Sequence, residues 1–390
     1  MRVPFLDLKA QFDSIKPEIE AKIQSILMTQ KFALGPEVES LEREIAAFSG
    51  SKYAIGVSSG TDALLVSLMA LGIGRGEEVI TTPFTFFATA GVIARLQAVP
   101  VFCDIDSVTF NLSAEKLAVL LDKTKKRRRT SKIKAIIPVH LFGQCADMDS
   151  ILELARSSEI SVIEDAAQAI GAEYPSRSGV RKAGTMGRLG ILSFYPTKNL
   201  GGYGDGGMVL TNQVRLAEQI RRLRVHGEKK RYFYEVIGGN FRLDALQAGV
   251  LRVKFRHLEA WQAKRRERAV LYERLFKDSG LIDRGLVTLP VAIYKETGIE
   301  NYHTYHQYVV RVKKRNQLQA FLAEQAVDTA IFYPRPLHLQ KCFAYLGYKI
   351  GAFPEAERAA KEVLALPIYP ELADTQMVQV VEKIADFYRH

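Results

Sequence analysis

Long apolar runs are missing from this chain. Nowhere in its 390 residues do the roughly 18–20 uncharged apolar residues of a membrane helix follow one another. The first residues include Arg2, Asp7, Lys9 and Asp13 where a signal peptide would have its apolar core. Cysteine is scarce: Cys103, Cys145 and Cys342 lie far apart and form no CxxC pair, so no disulfide framework and no metal site is expected. These absences lead us to expect a cytoplasmic protein with no membrane association. Acid is in deficit, with 54 Lys and Arg against 43 Asp and Glu and a net charge of +11. Most of the excess is local, because residues 123–134 (KTKKRRRTSKIK) carry eight cations and no acid, leaving +3 for the rest. Such a run reads first as a solvated loop. Clustered cations could also meet nucleic acid, but the charge does not define the function.

What is present is the composition of a globular protein, 47% hydrophobic and 25% charged, with a length that favours two domains. Short apolar runs alternate with segments of helical period. Strands are predicted at YAIGVS (53–58), EVITT (78–82), VPVFC (99–103), KAIIPV (134–139), ISVIE (160–164), GILSF (190–194) and GMVLT (207–211). Strands rich in Val and Ile, separated by helices, predict an α/β fold around a mostly parallel seven-stranded sheet covered on both faces. Ligands in such sheets collect beyond the carboxyl ends of the strands. Val38, Leu41, Ile45 and Phe48 mark an amphipathic helix starting near Pro36, and a long helical pattern runs from Leu243 to Phe276. The remainder has one clear strand, His306 to Val312, and helices near 315–325, 354–363 and 373–388. We therefore expect a large domain over residues 1–250, including N-terminal helices, and a smaller C-terminal α+β domain over 251–390.

Three motifs carry chemistry. SSGTDAL (58–64) lies between a strand and a helix, where Gly60 and Thr61 could hold a phosphate on free N–H groups; an ordinary capped helix start reads equally well. VIEDAAQAIGA (162–172) puts Asp165 at the end of a buried strand and Gln168 three residues on. That acid could cap a helix or bind a metal, or it could keep a pyridine nitrogen protonated. LSFYPTKNLGGYGDGGMV (192–209) sets Lys198 in a glycine-rich turn after the strand-ending Ser193. A Schiff base needs an amine near neutrality, and burial lowers the pKa of a lysine. A phosphate clamp is the alternative, although the GxxxxGK[ST] order is absent.

Those motifs, in that order, resemble the DegT/StrS-type nucleotide-sugar aminotransferases, a branch of the fold-type-I pyridoxal-phosphate enzymes. The resemblance spans nearly the whole chain and includes VPFLDLKAQ (3–11), TPFTFFATA (82–90), VHLFGQCADMD (139–149), GGNFRLDALQAGV (238–250) and YPRPLHLQ (333–340). It implies that Lys198 carries pyridoxal 5′-phosphate (PLP), converted to its aminated form (PMP) during turnover. It implies that Asp165 pairs with the ring nitrogen, Gln168 meets the ring oxygen and Phe86 stacks on the ring. Gly60, Thr61 and Ser193 would bind the phosphate, with Asn240 reaching it from a neighbouring subunit, so a homodimer with shared active sites is expected. Arg242, Tyr333 and His338 would face the sugar nucleotide, although Phe86 and His338 could each be packed core residues instead.

The activity so implied is transfer of an amino group, with glutamate as donor, to a nucleotide-linked keto-hexose. The string PTKNLGxxGDGG resembles members acting on 3-keto sugars. Members acting on 4-keto sugars more often have histidine where Tyr195 stands, and they define the alternative. Relatives often carry histidine before the YPxPLH tyrosine, where this chain has Phe332, so a polar contact to the sugar from that position is not expected. A different class of function is a cofactor-binding regulator that contacts nucleic acid through residues 123–134.

Overall fold

The computed structural model describes residues 2–126 and 132–389; the centre of the basic run, residues 127–131, lies outside them. Two helices come first, α1 (Leu8–Thr29) and α2 (Pro36–Ser49). Proline opens α2, Glu37 and Glu39 sit in its first turn, and Gly50 closes it at φ 74°. Val38, Leu41 and Ile45 face inward as their spacing predicts.

Strands and helices then alternate: β1 (Tyr53–Val57), α3 (Gly60–Ala70), β2 (Glu78–Thr81), α4 (Phe87–Arg95), β3 (Val99–Phe102), α5 (Ala114–Lys126), β4 (Ile133–Ile137), α6 (Met148–Arg156) and β5 (Ser161–Asp165). The hairpin of β6 (Glu173–Ser176) and β7 (Gly179–Lys182) precedes β8 (Leu189–Ser193), β9 (Gly207–Thr211) and α7 (Val214–Leu223). The seven anticipated strands form one sheet in the order β1-β9-β8-β5-β4-β2-β3. Only β9 runs against its neighbours, pairing antiparallel with β1 and β8. The other six therefore end on one edge, where β9 begins, and Val57, Ser193 and Gly207 meet there in register.

Side chains alternate across this sheet. Ala54, Ile80, Ile136, Val162 and Leu192 pack with α2, α5 and α6. Ile55, Val79, Ile137, Ile163 and Ile191 pack with α3, α4 and α7 on the other face. The strands other than the edge strand β3, where Val99 and Val101 are only half-buried, are thus buried on both sides, which is why they read as continuous apolar runs.

Beyond the sheet come a small hairpin, β10 (Glu228–Lys230) and β11 (Phe233–Tyr234), and the helices α8 (Ala245–Phe255) and α9 (Leu258–Asp278). The single helical pattern from Leu243 is therefore two helices. Arg256 and His257 keep near-helical angles (φ −62° and −100°), so no glycine or proline marks the break. A second sheet, β12 (Val287–Thr288), β13 (Tyr308–Val312) and β14 (Val363–Leu366), packs with α9, α10 (Arg315–Glu324) and α12 (Asp374–Phe387). Helix α11 (Pro354–Glu362) runs straight into β14, a strand the sequence did not suggest. The expected division at 250/251 falls inside α8. Its Ala248 and Leu251, with Leu258 of α9, still belong to the large core, whereas Ala269, Tyr272 and Phe276 belong to the second. The two cores meet along α9.

A buried ion pair ties α2 to the edge of the large sheet. Arg224 donates from Nη1 to Glu42 Oε1 at 2.5 Å and to the Gly56 carbonyl at 2.9 Å, and the Gly56 N–H donates to the same carboxylate oxygen at 2.8 Å. Removing one partner of such a pair strands the other charge in the interior. Glu42→Ala is expected to cost about 3 kcal/mol and to lower the denaturation midpoint, with Glu42→Gln intermediate. Unfolding monitored by circular dichroism checks both.

Candidate active site

The chemistry gathers where the parallel strands end. Asp165, the last residue of β5, alternates with Ile163 and so faces the side of the sheet covered by α3 and α4. Thr89 donates from Oγ1 to its Oδ2 at 2.9 Å, and the Ala167 N–H donates to Oδ1 at 3.2 Å. Burial pushes this carboxyl upward, while the bonds from Thr89 and Ala167 and the charges of Lys198 and His140 pull it back. Its neighbour Glu164 faces the opposite side, where it pairs with His140 at 2.9 Å and accepts from the N–H groups of Gly184, Met186 and Gly187. Alternation thus separates two consecutive acids into two environments.

Lys198 sits in the loop from β8 to β9, pinned by its own N–H to the Tyr195 carbonyl at 2.8 Å. The loop is closed by Phe194 N–H to Gly206 O and Gly202 N–H to Phe194 O, each 2.8 Å. Burial draws the Lys198 amine down to about 8 from its ordinary 10.5, against the pull of Asp165. Two glycines allow the close approach of the elements around it. A Cβ on Gly60 would lie 2.7 Å from Ser193 Cβ, and one on Gly207 would lie 2.3 Å from the Ser59 carbonyl oxygen.

One cavity of about 470 Å³ brings together Lys198, Asp165, Gln168, Ser193, Gly60, Thr61, Phe86 and Tyr333. Gly60 and Thr61 open α3 behind the capping Ser59, so their N–H groups have no partner within the helix. Phe86 is 58% exposed although it caps α4 beside a buried core, which leaves its ring free to carry a planar ligand. The Gln168 side chain is fixed, with Oε1 accepting from Phe142 N–H at 2.7 Å and Nε2 donating to Tyr333 Oη at 3.2 Å. One Nε2 hydrogen remains for the cavity. A buried carboxylate, a buried amine of lowered pKa, an open helix N-terminus with a serine, and a bare aromatic ring fit the nitrogen, carbonyl, phosphate and ring of pyridoxal phosphate.

Three expected residues stand outside the cavity. Asn240 is exposed and its backbone bridges to Val225, while Arg242 bridges to Val57 at the end of β1. His338 is a correction: it is buried, paired through Nε2 with Glu357 Oε1 at 3.1 Å and packed edge-on against Phe353. Just before it, the Leu337 N–H binds the Pro83 carbonyl at 2.7 Å, and the His338 side chain lies inside the protein rather than on the cavity wall.

Other wall residues were not anticipated as such. His306, at the foot of β13, faces the cavity and holds Asn199 Oδ1 at 3.2 Å through Nδ1. Asn199 uses its Nδ2 on the Thr304 carbonyl, so its oxygen is the acceptor and Nδ1 of His306 carries the proton. Burial and the Lys198 charge keep this imidazole neutral, leaving Nε2 as an acceptor. Phe332 joins the wall with its ring near Phe5 and Tyr333, giving the cavity an apolar surface there.

Only the free base of an amine attacks a carbonyl, so a lowered pKa moves reactivity to lower pH. The rate at which the cofactor-free chain takes up pyridoxal phosphate is expected to rise with pH through a midpoint near about 8. Stopped-flow absorbance across a pH series measures it, and a midpoint near the ordinary lysine value of 10.5 contradicts the assignment.

Comparison with known proteins agrees with this geometry. The sequence profile of the DegT/DnrJ/EryC1/StrS aminotransferase family matches residues 13–385. A protein named pleiotropic regulatory protein from Geobacillus stearothermophilus is 50% identical over the full length of both chains. The UDP-2-acetamido-2-deoxy-3-oxo-D-glucuronate aminotransferase of Pseudomonas aeruginosa is 41% identical, covering 97% of this chain and 98% of its own. The crystal structure of Streptomyces venezuelae DesV in complex with a ketimine intermediate superposes with a TM-score of 0.90 at 37% identity, covering 100% of this chain and 99% of that one. The chain belongs to the DegT/DnrJ/EryC1/StrS aminotransferase family, has the fold-type-I architecture and uses pyridoxal phosphate as its cofactor.

Proposed function

We propose that this enzyme transfers an amino group from glutamate to a nucleotide-linked 3-keto-hexose. The observation that carries the reading is the single cavity in which the desolvated amine of the half-buried Lys198 and the buried Asp165 carboxylate meet at the carboxyl edge of the sheet. Bound pyridoxal phosphate supplies the carbonyl that takes up the amino group and a ring that delocalises the charge of the deprotonated carbon. Asp165 holds the proton on the pyridine nitrogen. Gln168 donates its spare Nε2 hydrogen to the ring oxygen, and Phe86 covers one ring face. Gly60, Thr61 and Ser193 bind the phosphate through backbone N–H groups and a hydroxyl. Lys198 Nζ, freed when a donor amine takes its place, would hold and move the proton of the donor's α-carbon.

Tyr195 in the cavity wall and the apolar ring of Phe332 support a 3-keto substrate without a cationic contact at that wall. The relative from P. aeruginosa, named for a 3-oxo sugar, points the same way. Arg242 and Tyr333 are the side chains we assign to the sugar nucleotide. Asn240 lies outside its own cavity on a segment whose Tyr232, Phe233, Tyr234 and Ile237 are exposed, the last at 91%. An apolar surface of that kind favours packing on a second copy, with Asn240 completing the partner's phosphate site. No helix among the described residues is long and apolar enough to cross a membrane. The three unpaired cysteines fit a reducing, cytoplasmic setting.

The name of the Geobacillus relative supports a second reading, a regulator that contacts nucleic acid through residues 123–134. A spectroscopic experiment separates the two. On addition of glutamate to the purified holoenzyme, a band near about 420 nm is expected to fall as one near about 330 nm rises. A 3-keto nucleotide sugar should then reverse the change faster than a 4-keto one. Lys198→Ala is expected to lose turnover altogether. Normal turnover by that variant, or an inert spectrum combined with DNA binding that vanishes when residues 123–134 are neutralised, would overturn the proposal.

A further inference from the structure

Beside Asp165 lies a pair of hydroxyls that none of the expected site roles uses, Thr85 in the cavity wall and Thr89 outside it. Thr85 and Thr89 sit one turn apart around the start of α4, and both are buried, at 2% and 1% exposure. Thr89 Oγ1 is 2.9 Å from Asp165 Oδ2, and Thr85 Oγ1 is 3.2 Å from Thr89 Oγ1. An ionised carboxylate can only accept, so Thr89 must give it its one proton. Thr89 can then only accept from Thr85. The direction of both bonds is fixed: Thr85 to Thr89 to Asp165. The bond from Thr89 favours the ionised carboxylate, opposing the burial that raises it.

The other carboxylate oxygen is held independently by the Ala167 N–H at 3.2 Å. Donors from two elements, α4 and the turn after β5, therefore fix the plane of the carboxyl group. Among the described residues, the titratable groups near Asp165 are Lys198, His140, His306 and Tyr333. Lys198 comes from the β8–β9 loop and is cationic when protonated. His140, after β4, binds the Asp165 carbonyl through its backbone and Glu164 through its ring. His306 and Tyr333 are neutral, the first held low and the second high by burial.

We propose that Thr85 and Thr89 form a two-hydroxyl chain that orients the Asp165 carboxylate and sustains its charge for the ring nitrogen of the cofactor, which makes Thr89 a positioning residue. This rests on the reading of Asp165 as the partner of that nitrogen. A hydrogen bond to a charged group, when lost in the interior, changes an equilibrium by roughly ten- to hundredfold.

The test compares cofactor binding, independent of turnover, in the full-length wild type and three variants. Pyridoxal phosphate affinity is measured by equilibrium dialysis from acid to neutral pH. Thr89→Val keeps the shape and deletes the hydroxyl. It is expected to weaken binding about tenfold or more and to move the acid limit of binding to higher pH, because an Asp165 with one donor fewer protonates sooner. Thr89→Ser should restore both values, and Thr85→Val should shift the acid limit in the same direction by less. A Thr89→Val protein with a lower melting temperature but unchanged affinity and acid limit overturns the proposal. Should that variant fail to fold, an unchanged acid limit in Thr85→Val does the same. Failure of the wild-type chain to bind pyridoxal phosphate overturns the functional reading itself, and the proposal with it.

Discussion

Holding a carboxylate and an amine in the same cavity, away from bulk water at their charged ends, is the constraint on which the site depends. Burial disfavours the charged form of each, raising the one and lowering the other, and each is the counter-charge that limits the shift of its neighbour. The carboxylate keeps its charge through two fixed donors, and the amine is brought within reach of neutrality, which is what nucleophilic attack on a carbonyl demands. Neither condition could be met on a flexible surface loop. Asp165 is therefore the last residue of a central strand, and Lys198 sits in a turn closed by backbone hydrogen bonds between the ends of two paired strands.

The architecture follows from that requirement. Six strands ending on one edge deliver Asp165, Ser193 and the start of α3 to a common place, and the reversed β9 lets the lysine-bearing loop return there without a crossover helix. Strand alternation decides which acid reaches the cavity. Glu164, on the opposite face, is consumed by His140 and three backbone N–H groups, and it fastens the turn before β8 rather than taking part in chemistry. The close contacts at Gly60 and Gly207 show that the cavity has no room for an added methyl group where α3 begins.

Much of this was legible in the sequence because it is local. Six doubly buried strands and the half-buried edge strand β3 read as apolar runs, and motifs at strand ends pointed to Asp165, Gln168, Ser193 and Lys198, which the fold brings to one cavity. What escaped was set by partners distant along the chain. His306 reaches the cavity from the foot of β13, and its tautomer is fixed by Asn199, more than a hundred residues away. The hydroxyl of Thr89 has meaning only beside Asp165, 76 positions on. His338 looked as accessible as its neighbour Tyr333, but a buried Glu357 captures its ring. Strand β14 is a run of four apolar residues that continues the pattern of α11, and only its pairing with β13 makes it a strand. The hairpins β6–β7 and β10–β11 lack the alternation that would have announced them.

The central claim is that Lys198, and no other lysine, carries pyridoxal phosphate at this site. It is tested most directly by reducing the holoenzyme with borohydride, digesting it and locating the modified residue by mass spectrometry. The account predicts a single pyridoxyl adduct on the peptide containing Lys198, lost in Lys198→Ala. An adduct on another lysine such as the buried Lys254, or the same adduct in the variant, would contradict it.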